Sequence, residues 1–184
     1  MAGGDSNGEV THMLSPSAWN RFETCPRMYW LSRQRLPRKA GMAASLGTAV
    51  HASVEDLLQE DFSHFENSQD DWLPQEGLRV LKKRWEEEKA IFHATPRRPK
   101  WKEEKWKEAI NHQKGAIRML LDHVGINGLD QSRITGALWR KIQSLAIAVE
   151  GELKTNNGKL MGRLDLLMAD VDASGKMVGW LVAD

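Results

Sequence analysis

The stretch Gly162-Arg163-Leu164-Asp165-Leu166-Leu167 decides the fold. It lies in an apolar run from Leu160 to Ala169 that reads as a β-strand, with one acid among apolar neighbours. A carboxylate on a buried strand is costly unless it is paired or bound to a cation. Upstream, Asn156-Asn157-Gly158 is a hairpin turn signal. Before it, Gln143 to Glu150 reads as a first strand. Downstream, Asp172-Ala173-Ser174-Gly175 is a second turn, and Met177 to Ala183 is a third strand followed by Asp184. The reading is a three-strand meander over about residues 141–184.

Everything before the meander is helical in pattern, over about residues 14–140. Residues 1–13 are small and polar and read as a flexible tail. Ser15 is placed to cap a helix that opens on Pro16. Pro26 breaks that helix after Cys25, and a short second turn carries Met28, Tyr29 and Trp30. The basic stretch from Arg33 to Met42 reads as a loop. Leu46, Val50, Val54, Leu57 and Leu58 form one helical stripe. Residues 63–73 read as a loop, and Leu78, Leu81, Trp85 and Phe92 form the next stripe. A long helix carries Trp106, Ile110, Gln113, Ile117, Leu120, Leu121 and Val124, ending near Gly125. Residues 126–136 give no assignable pattern. Residues 14–184 read as a single domain. Its third strand stops at Asp184 and leaves a thin sheet with an open edge, so the expectation is a domain that continues past the C-terminus.

The composition narrows the class. A chain of 184 residues and 20.9 kDa suits one domain that needs no disulfide or structural metal for its size. With 41% apolar and 28% charged residues it is neither disordered nor collagen-like. No apolar run approaches the roughly 20 residues that span a bilayer. The polar start shows no secretory signal, and the one cysteine points to a reducing, cytoplasmic setting. A net charge of +1 neither favours nor opposes nucleic acid, so any basic surface must be local.

Several residues are candidates for chemistry. Asp165 and Asp184, on adjacent antiparallel strands, are placed to converge on one hard cation such as Mg²⁺. The plainer alternative has Asp165 capping a turn and Asp184 merely ending the sequence. His51 stands early on the amphipathic helix, with Glu55 at i+4 on the same face. A histidine held by Glu55 or by a backbone carbonyl is the plain reading there. No His/Cys cluster has zinc spacing. Arg97-Arg98-Pro99-Lys100-Trp101-Lys102 combines basic and aromatic residues and is a candidate DNA contact through Arg97, Arg98, Lys100 and Trp101. Interleaved acids, with pairs such as Glu103–Lys107 at helix spacing, leave open a solvated mixed-charge face instead.

Taken in order, Leu-Ser-Pro-Ser (14–17), Cys-Pro-Arg (25–27), Leu-Gly-Thr-Ala-Val-His (46–51), Glu150, Gly-Arg-Leu-Asp-Leu (162–166) and Leu-Val-Ala-Asp (181–184) resemble the RecB-like branch of the PD-(D/E)xK nucleases. That branch includes the RecB and AddB nuclease domains and the CRISPR-adaptation exonucleases. The resemblance covers residues 14–184. It implies an α/β fold (α+β in loose terms), with a restriction-endonuclease-like core, N-terminal helices and a mixed sheet of which three strands are present. It implies metal-dependent hydrolysis of DNA phosphodiesters with Mg²⁺ or Mn²⁺, of the exonuclease kind used in repair and recombination, with a helicase subunit or domain as partner. His51, Asp165 and Asp184 match the family's metal ligands, and Asp165 and Asp184 its catalytic acids. Glu150 falls where the family often carries a Glu.

The family Lys belongs two positions after Asp184, where this sequence has no residue, so the 184 residues alone are expected to cut weakly or not at all. In some members a Cys at the place of Cys25 ligates an iron–sulfur cluster with three further cysteines. This sequence has no other, and a small Cys before a helix-breaking Pro is the reading preferred. The alternative function is a non-catalytic module that binds DNA ends on a degenerate nuclease core. A helical scaffold without nucleic acid leaves the acids unexplained.

Overall fold

Ser15 does cap the first helix. Its hydroxyl accepts from the Ala18 N–H at 3.2 Å, and α1 runs Pro16–Thr24 with proline in its first turn. Cys25 ends α1 in an extended conformation and starts α2, Pro26–Arg33, its sulfur accepting from the Met28 N–H at 3.4 Å. The computed structural model describes residues 14–34, 41–65, 71–94, 100–156 and 160–183. Beyond the first pair lie α3 (Met42–Gln59), α4 (Trp72–Ala94), α5 (Trp106–His123) and α6 (Gly136–Leu145). Three strands follow: β1 (Ala146–Lys154), β2 (Met161–Val171) and β3 (Met177–Ala183). This is the α/β class expected, helices first and sheet after.

The sheet has order β1-β2-β3, antiparallel throughout. A parallel bridge between Leu14 and Leu160 ties the start of the described chain to the foot of β2. On β2, Leu164, Leu166 and Met168 are buried while the residues between them are partly exposed. That period of two puts one face on the core and leaves the other to carry Arg163 and Asp165.

The helices form two cores. Leu57, Leu58, Leu73, Val80, Ile117, Leu121, Trp139 and Ile142 bury together with Leu166 and Met168 of β2. Leu46, Ala49, Val50, Leu81, Trp85 and Ala109 form the second, with Trp101 and Trp106 against it. Inside the helical part, the Gln113 amide donates to Ser53 Oγ (3.0 Å) and to the Gly77 carbonyl (2.8 Å). A buried amide must be bonded in this way, and its bonds fix the register of α3, α4 and α5 together. Asp56 on α3 is also buried, and Arg84 on α4 grips it with two bonds, Nε at 2.8 Å and Nη2 at 2.5 Å. The carboxylate hydrogen bonds raise the already high Arg84 pKa further.

Four details depart from the sequence reading. Gln143, Ser144 and Leu145 close α6 rather than open a strand, so the helical part runs to 145. Gln143 is needed there: its amide donates to the carbonyls of Leu57 (3.1 Å) and Glu60 (2.8 Å), and the Trp139 indole N–H also reaches Leu57 (2.8 Å). The end of α3 thereby gains partners for carbonyls that a helix leaves open. The unassigned segment 126–136 holds a 3₁₀ turn at Gln131–Arg133 and the start of α6, capped by Thr135. Trp72 and Leu73, read as loop, open α4 and are buried. Leu78 is exposed, and Val80 takes its place in the core.

Two outcomes test this packing. Arg84→Ala leaves Asp56 buried without its main partner, and chemical denaturation is expected to show a loss of about 2 kcal/mol; a change below 0.5 kcal/mol, ~a quarter of that, would contradict it. In the β2–β3 turn, Asp172 accepts from the Ser174 hydroxyl and N–H and the Lys176 N–H, which holds its pKa below the ordinary 3.8. The turn's contribution is therefore full above that ordinary value and fades as the pH falls through the lower folded one. The Ser174 amide resonance is expected to move below about pH 4; a resonance unmoved down to full protonation would contradict the bond.

Candidate functional site

The inner face of α3 is used by Leu46, Val50, Ser53 and Leu57. Its outer face therefore presents Gly47, Thr48, His51, Ala52 and Glu55, which form one wall of an open cleft of about 580 Å³. The other wall is the sheet, through Glu150, Arg163 and Asp165. Glu55 shares the wall but does not hold His51; it accepts from Gln59 Nε2 at 3.2 Å.

The sheet register sets two acids side by side. Val149 pairs with Leu166 and Gly151 with Leu164, so Glu150 and Asp165 stand opposite each other between those pairs. Like charges directly opposite across two strands are destabilising. Glu150 also has φ 56°, the left-handed region that non-glycine residues rarely occupy. Gly151 follows because a Cβ there would meet Leu164 Cδ1 at 3.2 Å and Ala148 Cβ at 3.3 Å. β1 is thus bent at the acid, and such strain gathers where a side chain must be aimed.

His51 stands between the two acids. Its Nδ1 is 2.9 Å from Glu150 Oε1 and its Nε2 is 3.0 Å from Asp165 Oδ2. Neutral imidazole has one N–H, so it can donate to only one of these carboxylates. The other contact then sets a nitrogen lone pair against a carboxylate oxygen. An imidazolium or a cation between the ligand atoms resolves the conflict. One ligand atom each from His51, Glu150 and Asp165 lie within 4.8 Å of one another. An imidazole nitrogen with two carboxylate oxygens is a donor set that divalent cations accept, and the residues fit such an ion.

The structure brings together His51, Asp165 and Glu150, and places Glu55 on the same cleft. Asp184 lies outside the described residues, as do Arg97 and Arg98. β2 and β3 pair as far as Leu166↔Ala183, the last described residue of β3. Lys100 is exposed. Trp101 is not a free platform for a base: its ring packs edge-on against Trp85 (4.7 Å) and Phe92 (5.1 Å). Glu103 pairs with Lys89 rather than Lys107. Cys25 is partly exposed, with its sulfur engaged in the helix cap. Arg163 was missed by the sequence reading. Its Nη2 lies 2.5 Å from Glu150 Oε2, and its place two residues before Asp165, hence on the same strand face, is the signal that pointed to it.

Helices leading into an antiparallel sheet, with a histidine and two acids meeting at a cleft, define an α/β protein with a group of side chains able to hold a metal ion. The family model that matches the chain is that of the PD-(D/E)XK nuclease superfamily, over residues 13–184. The chain belongs to that superfamily. No curated protein and no solved structure matches it. Among the described residues no helix is long and apolar enough to cross a membrane.

The site makes a direct expectation. Mn²⁺ at about a hundred times its Kd should stabilise the protein by about 2.7 kcal/mol. Asp165→Asn should lose that gain, while in EDTA it melts slightly higher because the facing charges are relieved. Thermal melts read both effects; an equal Mn²⁺ gain in the variant would contradict the assignment.

Proposed function

We propose that this chain is a RecB-like DNA nuclease that hydrolyses phosphodiester bonds with Mg²⁺ or Mn²⁺. The observation that carries the reading is the convergence of His51, Glu150 and Asp165 on one point, in a chain of a nuclease superfamily. His51, Asp165 and Asp184 are proposed as the metal ligands, with Glu150 as a fourth. The bound ion would polarise a phosphate oxygen and lower the pKa of a bound water. The protein's part is to aim the donors: α3 offers imidazole nitrogen, and the bend at Glu150 turns its carboxylate toward Asp165. Imidazole suits Mn²⁺ at least as well as Mg²⁺, which prefers an all-oxygen shell.

The exonuclease mode, a place in repair, a helicase partner and a cytoplasmic setting are proposed on the sequence resemblance. So is DNA contact through Arg97, Arg98 and Lys100. The iron–sulfur cluster gains no support, since its further three ligands are not in this sequence.

The test is a nuclease assay on end-labelled DNA with the protein at its natural full length. Degradation should require Mg²⁺ or Mn²⁺ and stop in EDTA. Asp165→Ala should reduce it by ~100-fold or more, since even residues that only support a ligand cost about 10- to 100-fold. Undiminished cleavage by the variant would overturn the site. DNA binding without cleavage by the wild type would favour the end-binding module instead.

A further inference from the structure

We propose that Arg163 is a phosphate-contacting residue, parked on Glu150 until nucleic acid enters the cleft. The inference rests on the proposed function and adds a residue that neither the family motif nor the sequence reading assigned. Three observations carry it. Among the described residues that line the cleft, Arg163 is the one arginine or lysine, against the carboxylates of Glu55, Glu150 and Asp165. A phosphodiester approaching such a wall meets net negative charge, and a cation on the protein side is needed to admit it.

The direction of the side chain is the second observation. The strand register sets Arg163 opposite Glu152 on β1. Yet Glu152 pairs with Lys154 at 2.9 Å, and Arg163 reaches diagonally to Glu150 instead. Its hydrogen bond is thus made into the site, while Glu152 feels Arg163 only as a nearby charge. The third is exposure. The Arg163 side chain is 66% exposed while Glu150 is 15% exposed, so the guanidinium closes over the acid from the solvent side. A guanidinium carries five N–H donors in a planar fork, and the pair to one carboxylate oxygen engages Nη2. That fork matches two oxygens of a phosphate, which one carboxylate oxygen does not satisfy. Once the Glu150 carboxylate is shared with a cation, its hold on Arg163 weakens, and the arginine is free to meet the incoming phosphate.

The experiment is DNA binding by the natural full-length protein, read by fluorescence anisotropy of an end-labelled duplex with Ca²⁺ as the cation. The salt dependence of Kd is measured between about 50 and 200 mM. For Arg163→Gln we expect Kd to rise about tenfold at the lowest salt and the slope of log K against log[salt] to fall by about 1. Arg163→Lys, which keeps the charge and loses the fork, should restore the slope but only part of the affinity. Mn²⁺ affinity by calorimetry should stay equal or tighten in Arg163→Gln, because Glu150 loses a competing partner. An unchanged slope and Kd in Arg163→Gln would overturn the proposal and leave Arg163 as a counter-ion of Glu150. If that happens while Asp165→Asn still abolishes Mn²⁺ uptake, the metal-nuclease reading stands and only the arginine proposal falls. If the wild type takes up no Mn²⁺, that reading falls, and the salt slope of cation-free DNA binding decides Arg163. A wild type that binds neither overturns both.

Discussion

Glu150 and Asp165 face each other across β1 and β2, and the rest of the structure is organised around holding them there. Two carboxylates in that relation repel and destabilise the strand pair. The fold answers with a histidine from a helix and an arginine from the same strand. His51 can reach both acids only because α3 is fixed at several points. Ser53 bonds to Gln113, Asp56 is gripped by Arg84, and the last carbonyls of α3 receive Trp139 and Gln143. The residue after that capping helix, Ala146, begins the strand that carries Glu150. One connected segment therefore sets both the helix wall and the sheet wall of the cleft.

Much of this was legible in the sequence, for local reasons. Ser15-Pro16 and Cys25-Pro26 encode their helix starts in the chemistry of one or two residues. The α3 stripe and the alternation on β2 are strong periodic signals, and they placed His51 and Asp165 on elements the structure bears out as helix and strand. The turn at 172–175 was readable from Asp172 and Gly175, which has φ 80°.

The misses have a common cause, since each depends on a distant partner. Gln143 to Glu150 reads as one strand, and only the open end of α3 explains why its first residues are helical. Leu78 and Val80 are both apolar and helical, and tertiary packing chose between them. The left-handed backbone at Glu150 has no marker in its own residue type; the glycine after it was the one local hint. Arg163 shares the strand face of Asp165 by its spacing, and only the register of β1 against β2 brings it to Glu150.

The central claim is that a divalent cation sits between the α3 histidine and the two facing acids. Anomalous scattering from crystals of the natural full-length protein grown with Mn²⁺ tests it most directly. The account predicts a peak within about 2.0–2.3 Å of a His51 nitrogen and carboxylate oxygens of Asp165 and Glu150. A Mn²⁺ peak elsewhere, with the His51 contacts to both carboxylates intact, would contradict it.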